Sequence, residues 1–127
     1  MKLGVAAAVV DGVLVRGDVE VCDGVVARVG VDTAGRGLAI PGLVDLQVNG
    51  YAGVDVLTAE PGELVEMGRA LARDGVLAYQ PTVITAPPDL MRDALATIGQ
   101  AILLGGDSEI LGAHLEGPYL SPTRPGA

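Results

Sequence analysis

The sequence predicts an α/β fold, in which a short β-rich segment precedes strands that alternate with helices. Two patterns indicate this. Asp-Gly pairs separate valine-rich runs in the first 40 residues, and apolar strands then alternate with amphipathic helices. The composition agrees, because 50% of the residues are hydrophobic although the chain has no Phe and no Trp. Ala, Val, Leu and Ile therefore supply most of the apolar surface, which suits buried parallel strands.

Residues 1–40 are expected to form a small β-meander, the first of two predicted domains. Asp11-Gly12 and Asp23-Gly24 each lie between valine-rich runs. An Asp-Gly pair in this setting is the strongest short-range signal for a two-residue hairpin turn. Glycines also interrupt the segment too often for a helical period, so the sequence favours strands here.

Residues 41–127 are predicted to form the second domain, because the character of the sequence changes at Ile40-Pro41-Gly42. Both predicted helices start at proline and end before glycine, as helices commonly do. The predicted elements are a strand at 43–50, a helix between Pro61 and Gly75, a strand at 76–85, a helix between Pro87 and Gly105, and a strand at 110–116. Strands that alternate with helices imply right-handed crossovers and a parallel sheet.

Each predicted helix carries one apolar stripe at helical spacing, and this stripe is expected to face the core. In the first helix the main positions are Leu64, Met67 and Leu71. In the second helix they are Met91, Leu95, Ile98 and Ile102. The methionines are interpreted as core residues and not as part of a cofactor site.

The charge balance argues against two classes of partner. The net charge is −8, with 16 acidic and 8 basic residues, so we expect no binding to nucleic acid or to an anionic membrane surface. Cys22 is the only cysteine, which excludes an intramolecular disulfide and is typical of a reducing compartment. The N-terminal apolar run is too short to span a membrane and is a poor signal peptide. We therefore expect a cytoplasmic protein.

Polar side chains follow the predicted parallel strands where ligands usually bind in such sheets. Gln47 and Asn49 end the first strand and share one face by alternation, with Asp45 below them. His114 and Glu116 share a face at the end of the third strand. A carboxylate at the end of a buried strand needs a compensating partner, and a cation is the simplest one.

An alternative interpretation is that these groups only form capping hydrogen bonds between strand ends and loops. For Gln47 and for Thr82, near the end of the second strand, the residues alone favour capping. For Asn49 the sequence favours neither interpretation, and for Glu116 it favours a functional role.

Three segments carry a family resemblance: Pro41–Gly50, Gln80-Pro81-Thr82 and His114–Pro122. Together they resemble the N-acetylglucosamine-6-phosphate deacetylase family of the amidohydrolase superfamily. The resemblance implies that residues 1–40 are part of a small β-sandwich and that residues 41–127 begin a (β/α)8 barrel. It also implies an activity: hydrolysis of the acetamide of N-acetylglucosamine 6-phosphate to glucosamine 6-phosphate and acetate.

The resemblance also implies a metal centre. The superfamily commonly has a His-x-His pair where this chain has Gln47 and Asn49, and this variant implies one metal ion instead of two. Glu116 is then the metal ligand, with two histidines from later strands and an open position for water. The ion is expected to be Zn²⁺, with Fe²⁺ or another divalent ion as alternatives. His114 is kept as a residue that lines the site, since a lone histidine there is more often a satisfied core group. The resemblance places a substrate contact at Ala127.

The predicted second domain is short for this fold, because a complete (β/α)8 barrel needs about 250 residues. We therefore expect the chain to be the N-terminal portion of a longer enzyme, with the catalytic aspartate beyond Ala127. By itself, the 127-residue chain is expected to be inactive. The resemblance further implies a homodimer of the full-length enzyme that acts on a phosphorylated amino sugar.

Two alternatives stay open. The chain is either part of such a deacetylase or a non-catalytic α/β binding or interaction module. Within enzymes, the alternative is another amidohydrolase, such as one that acts on the galactosamine isomer of the sugar.

Overall fold

A computed structural model of the protein describes residues 1–32 and 35–123. The chain divides into two compact units, Met1–Pro41 and Gly42–Ala127. Among the described residues, the first unit contains strands and no helix, and the second contains a parallel β-sheet with two helices. The protein is therefore α/β, as the sequence predicts.

Five short strands lie in the described part of the first unit, residues 1–32 and 35–41. They are β1 (Ala7–Val10), β2 (Val13–Arg16), β3 (Asp18–Cys22), β4 (Val25–Val31) and β5 (Leu38–Ala39). The two hairpins predicted at the Asp-Gly pairs are present, since β1 pairs antiparallel with β2 and β3 pairs antiparallel with β4. Asp11 and Asp23 both have positive φ, which is the conformation that such tight turns require.

The prediction of a simple meander is wrong, because the two hairpins belong to separate ladders. Only Gly17 separates β2 from β3, so no hairpin turn fits between them and the chain changes ladder there. Gly17 has a φ of 109°, and a Cβ at this position would lie 2.6 Å from the carbonyl carbon of Gly30. β5 then returns to pair parallel with β1.

A buried carboxylate fixes the start of β3. Asp18 is only 5% exposed and accepts hydrogen bonds from the backbone N–H groups of Gly4, Val5 and Val19, at 3.1, 3.0 and 2.7 Å. Burial raises the pKa of the Asp18 carboxyl, but these N–H groups and the charge of Lys2 outweigh that effect, so the pKa is lower than usual. Asp18 therefore ties residues 4 and 5 to the β3–β4 hairpin.

Up to residue 123, the second unit contains six strands and two helices. They are β6 (Leu43–Val48), β7 (Gly50–Tyr51), β8 (Val54–Asp55), α1 (Pro61–Arg73), β9 (Val76–Val83), α2 (Pro88–Leu104), β10 (Glu109–Ile110) and β11 (His114–Leu115). The parallel sheet is centred on β9, with β6 on one side and both β10 and β11 on the other. The parallel arrangement matches the sequence prediction.

The predicted third strand, residues 110–116, is broken in two. β10 and β11 pair with the same edge of β9, and the gap between them lies opposite Gln80 and Pro81. Pro81 has no N–H to donate to a ladder, and Gly112 within the gap has a φ of 135°. A continuous ladder is therefore not possible at this point.

The other predicted strands are also shorter than expected. The first ends at Val48 instead of Gly50, and the second ends at Val83 instead of Thr85. The small antiparallel hairpin of β7 and β8 was not predicted. Tyr51 in this hairpin donates a hydrogen bond to the carboxylate of Asp74, which also raises the pKa of Tyr51. The hairpin is thereby tied to the end of α1.

Both helices start and end close to their predicted boundaries. α1 begins at Pro61, and its Glu63 carboxylate accepts the N–H of Glu60 at 2.8 Å. α2 ends at Leu104 and is capped by Gly105, which has a φ of 69°. Within residues 1–32 and 35–123, no helix combines the length and the apolar character needed to cross a membrane.

The core lies between the two helices and one face of β9. α1 contributes the predicted residues Leu64, Met67 and Leu71. Tyr79 in β9 is fully buried, and its hydroxyl donates to the Leu64 carbonyl at 2.7 Å. Burial raises the pKa of Tyr79 to about 12. The tyrosine therefore remains neutral and serves as a hydrogen-bond donor in the core.

The predicted core face of α2 is partly wrong. The buried residues of α2 are Met91, Ala94, Ile98 and Ala101, whereas Leu95 is 36% and Ile102 43% exposed. The predicted and the observed face share Met91 and Ile98. At the other two positions an alanine faces inward in place of the predicted leucine or isoleucine. Small side chains allow the helix to approach its neighbours closely, so packing selects the alanine face here.

We predict that Ile98→Ala lowers the free energy of unfolding by about 2–5 kcal/mol, because it leaves a cavity among buried residues. Leu103→Ala is the matched control on the same helix. Leu103 is 87% exposed, so its truncation should change stability by no more than about 0.5 kcal/mol. Urea titration of the intact gene product that contains this chain measures both effects. Equal losses for the two variants would contradict the described face of α2.

Candidate functional site

Gln47 and Glu116 meet at the carboxyl ends of the parallel strands. Gln47 lies near the end of β6, and Glu116 directly follows β11, on the other side of β9. The Nε2 amide of Gln47 donates to Oε2 of Glu116 at 3.4 Å. This distance is at the long end for a hydrogen bond, so the contact orients the carboxylate only weakly.

β9 and the segment that follows it hold the backbone of Glu116. The N–H of Glu116 donates to the Val83 carbonyl at 3.0 Å, and the Thr85 hydroxyl donates to the Glu116 carbonyl at 2.9 Å. Glu116 is thus fixed by its backbone while its side chain remains only partly buried. Thr85 is the last residue of the strand that the sequence predicts at 76–85, but the sequence does not identify it as the partner of Glu116.

Gly117 makes the turn that follows Glu116. Its φ is 94°, a conformation that L side chains rarely adopt, and a Cβ at this position would collide with Oγ1 of Thr85. The hydrogen bond between Thr85 and Glu116 therefore requires glycine at position 117.

A bulge in β6 determines where Gln47 lies. The pairing of β6 with β9 shifts register between Asp45 and Val48, so Leu46 and Gln47 lie outside the regular ladder. The Asp45 carboxylate accepts the N–H of Gln47 at 3.0 Å. The sequence interpretation assumed unbroken alternation from Asp45 to Asn49, and the bulge interrupts it.

The other candidate residues lie as follows. The Asn49 side chain is exposed, and its backbone carbonyl accepts the N–H of Val56 at 3.1 Å. Thr82 is 1% exposed, and within the described part of the chain its hydroxyl has no hydrogen-bond partner. Ala127, the predicted substrate contact, lies outside the described residues. The structure thus brings Gln47 and Glu116 together.

His114 lies beside the site and is half-buried. Its Nδ1 is 3.1 Å from the carbonyl oxygen of Leu46. A carbonyl oxygen only accepts hydrogen bonds, so Nδ1 carries the proton and donates it. In the neutral ring, Nε2 then holds the lone pair.

The described residues supply at most part of a metal site. The Glu116 carboxylate is a ligand type that suits Zn²⁺ and other divalent ions. Within residues 1–32 and 35–123, however, no three His, Cys, Asp or Glu side chains are grouped closely enough to hold an ion. Any ion bound by Glu116 therefore needs further ligands.

Comparisons with known proteins find relatives that share one enzyme activity. No protein-family profile matches the chain. Among curated proteins, it is 38% identical over 113 residues to the N-acetylgalactosamine-6-phosphate deacetylase of Escherichia coli O157:H7, covering 84% of this chain and 30% of that protein. It is 44% identical over 89 residues to the N-acetylglucosamine-6-phosphate deacetylase of Vibrio furnissii, covering 69% of this chain and 22% of that protein. Over the length that it spans, which is less than a third of either relative, the chain is similar to deacetylases of N-acetylated amino sugar 6-phosphates.

Solved structures of this deacetylase family agree. The N-acetylglucosamine-6-phosphate deacetylase of Thermotoga maritima matches with a TM-score of 0.81 and 31% identity, over 100% of this chain and 35% of that one. The enzyme of Pasteurella multocida matches with a TM-score of 0.73 and 25% identity, over 95% of this chain and 35% of that one. The chain thus spans about a third of these two solved structures.

We predict that Gly117→Ala lowers the free energy of unfolding by at least about 2 kcal/mol, because it combines a left-handed backbone with overpacking against Thr85. Gly99→Ala in α2 is the matched control. A Cβ there meets nothing within 4 Å, so this change should stabilise the helix by about 0.5–1 kcal/mol. Thermal or urea unfolding of both variants measures the difference. A Gly117→Ala variant as stable as the wild type would refute the described turn.

Proposed function

We propose that the protein containing this chain hydrolyses the acetamide of an N-acetylated amino sugar 6-phosphate, releasing acetate and the free amino sugar phosphate. The observation that carries the proposal is the set of curated relatives, which are named as deacetylases of such sugars. The structural match to a solved deacetylase covers 100% of this chain and so includes both Gln47 and Glu116.

The parallel sheet is proposed to be the first part of a (β/α)8 barrel. Three features support this: strands and helices alternate, all sheet pairings with β9 are parallel, and polar groups gather at the carboxyl ends of the strands. In barrels of this kind the catalytic residues come from the ends of several strands. β6 and β11 would each contribute one polar group, Gln47 and Glu116 respectively.

Glu116 is proposed to be the one metal ligand in this part of the chain. Its backbone is fixed by Val83 and Thr85, so the carboxylate is held in place without being deeply buried. A bound divalent ion, Zn²⁺ in the first instance or Fe²⁺, would acidify a water molecule and polarise the acetamide carbonyl. The role of Glu116 is to hold the ion, and that of Gln47 is to orient Glu116.

A single-metal site is proposed because of Gln47 and Asn49. Amide groups are neutral and bind divalent ions more weakly than the imidazole and carboxylate ligands typical of zinc sites. Gln47 is already engaged with Glu116, and Asn49 is exposed. The pair is therefore better suited to lining the site than to binding a second ion.

Several parts of the proposal rest on the family resemblance alone. They are the general-base aspartate, the two further metal-binding histidines, the substrate contact at Ala127, the homodimer and the cytoplasmic location. None of them is assigned to a described residue.

Two sugars are candidates for the substrate. The glucosamine derivative is favoured because most of the relatives carry its name. The galactosamine isomer is the second candidate, because the E. coli relative with 38% identity is named for it. Acetate release from each sugar phosphate, measured side by side, separates them.

We predict that Glu116→Gln reduces bound zinc or iron at least about tenfold and acetate release at least about a hundredfold, because it replaces a charged ligand with a neutral one. Elemental analysis and an acetate assay of the intact gene product measure both quantities. Glu109→Gln is the matched control. Glu109 is exposed in β10, and its variant should resemble the wild type.

Two results would contradict the proposal. Equal metal content in Glu116→Gln and wild type would remove Glu116 from the metal site. A wild-type protein that binds no metal and releases acetate from neither sugar would instead indicate a non-catalytic binding module.

A further inference from the structure

The bulge in β6 leaves backbone groups that the ladder does not satisfy. Between Asp45 and Val48 the register with β9 shifts, so two residues of β6 lie where a regular strand would have one. Leu46 and Gln47 are these residues. Their N–H and carbonyl groups need partners from outside the ladder.

Two side chains supply such partners. The Asp45 carboxylate accepts the Gln47 N–H at 3.0 Å, and the His114 ring donates to the Leu46 carbonyl at 3.1 Å. The first contact is local, within β6. The second comes from β11, which lies on the other side of β9, so this hydrogen bond joins strands on opposite sides of the central strand.

The contact from His114 joins the two segments that carry the site. Leu46 directly precedes Gln47, and His114 lies two residues before Glu116. The direct contact of Gln47 with Glu116 is long, at 3.4 Å, whereas the bond from His114 to Leu46 is 3.1 Å. The bond from His114 is therefore the shorter of the two side-chain contacts between these segments.

We propose that His114 is a positioning residue: by donating Nδ1–H to the Leu46 carbonyl, it fixes the bulge of β6 and so holds the Gln47 amide against the Glu116 carboxylate. The catalytic consequence rests on the proposed deacetylase function. The structural consequence, a bulge held in place from β11, does not depend on that function.

Three substitutions separate the donor position from the rest of the ring. His114→Asn places an N–H donor near the position of Nδ1, His114→Gln places its donor one bond further out, and His114→Leu has none. Asn and Gln are both polar and uncharged, so their comparison tests donor position while polarity stays nearly constant.

Two measurements on the intact gene product follow. Hydrogen exchange of the peptide that contains residues 43–48 reports whether the bulge opens, and steady-state kinetics of acetate release report its effect on catalysis. We expect His114→Asn to keep both the exchange rate of this peptide and kcat within about threefold of the wild-type values. His114→Gln and His114→Leu should exchange faster in this peptide and lose about tenfold in kcat, with the melting temperature nearly unchanged.

The outcomes separate the two claims. If wild type releases acetate and all three variants match it, or if Asn and Gln are equally impaired, His114 does not position the site through Nδ1. If wild type releases no acetate from either sugar phosphate, the proposed function fails. If, in addition, the peptide that contains residues 43–48 exchanges at the wild-type rate in His114→Leu, His114 does not hold the bulge.

Discussion

The second unit depends on β9, because every other strand of the parallel sheet pairs with it. One face of β9 packs on both helices through Tyr79 and Val83, which are fully buried. The end of the strand then provides the Val83 carbonyl, and the residues after it provide the Thr85 hydroxyl, both of which hold Glu116. The same strand thus anchors the core and places the candidate ligand, so damage to its packing should also disturb the site.

Irregular pairing along β9 creates the site. On one side β6 shifts register between Asp45 and Val48, and on the other the ladder breaks between Ile110 and His114. Both irregularities fall near the carboxyl end of β9. The bulge frees the Leu46 carbonyl from the ladder, and that carbonyl accepts a hydrogen bond from His114 across the sheet. Bulges are common beside functional sites for this reason, since they redirect a side chain without changing the fold.

Much of the fold could be predicted from local sequence. The two Asp-Gly hairpins, the boundaries of α1 and α2 and the α/β class follow from turn residues, helix caps and periodicity. The features that could not be predicted depend on contacts distant in sequence. Periodicity alone does not decide between Ala94 and Leu95 as the inward residue of α2, because both positions fit a helical stripe, and close packing favours the smaller one. The bulge at Leu46 likewise depends on a partner, His114, that lies 68 residues away.

The candidate site was only partly predictable for the same reason. The residue types at 47, 49 and 116 indicated a polar cluster at the strand ends, and the segments around them indicated the family. Alternation could not show that Gln47 lies in a bulge or that Thr85 holds Glu116. These details depend on the pairing of three strands.

Glu116 is the proposed ligand of a single metal ion, and Gln47 and Asn49 are proposed to line the site without binding a second ion. Anomalous diffraction at the zinc edge, from crystals of the intact gene product grown with Zn²⁺, tests this most directly. The predicted result is one anomalous peak about 2 Å from a carboxylate oxygen of Glu116. A peak bound by Gln47 and Asn49, or a metal site with Glu116 outside coordination distance, would contradict it.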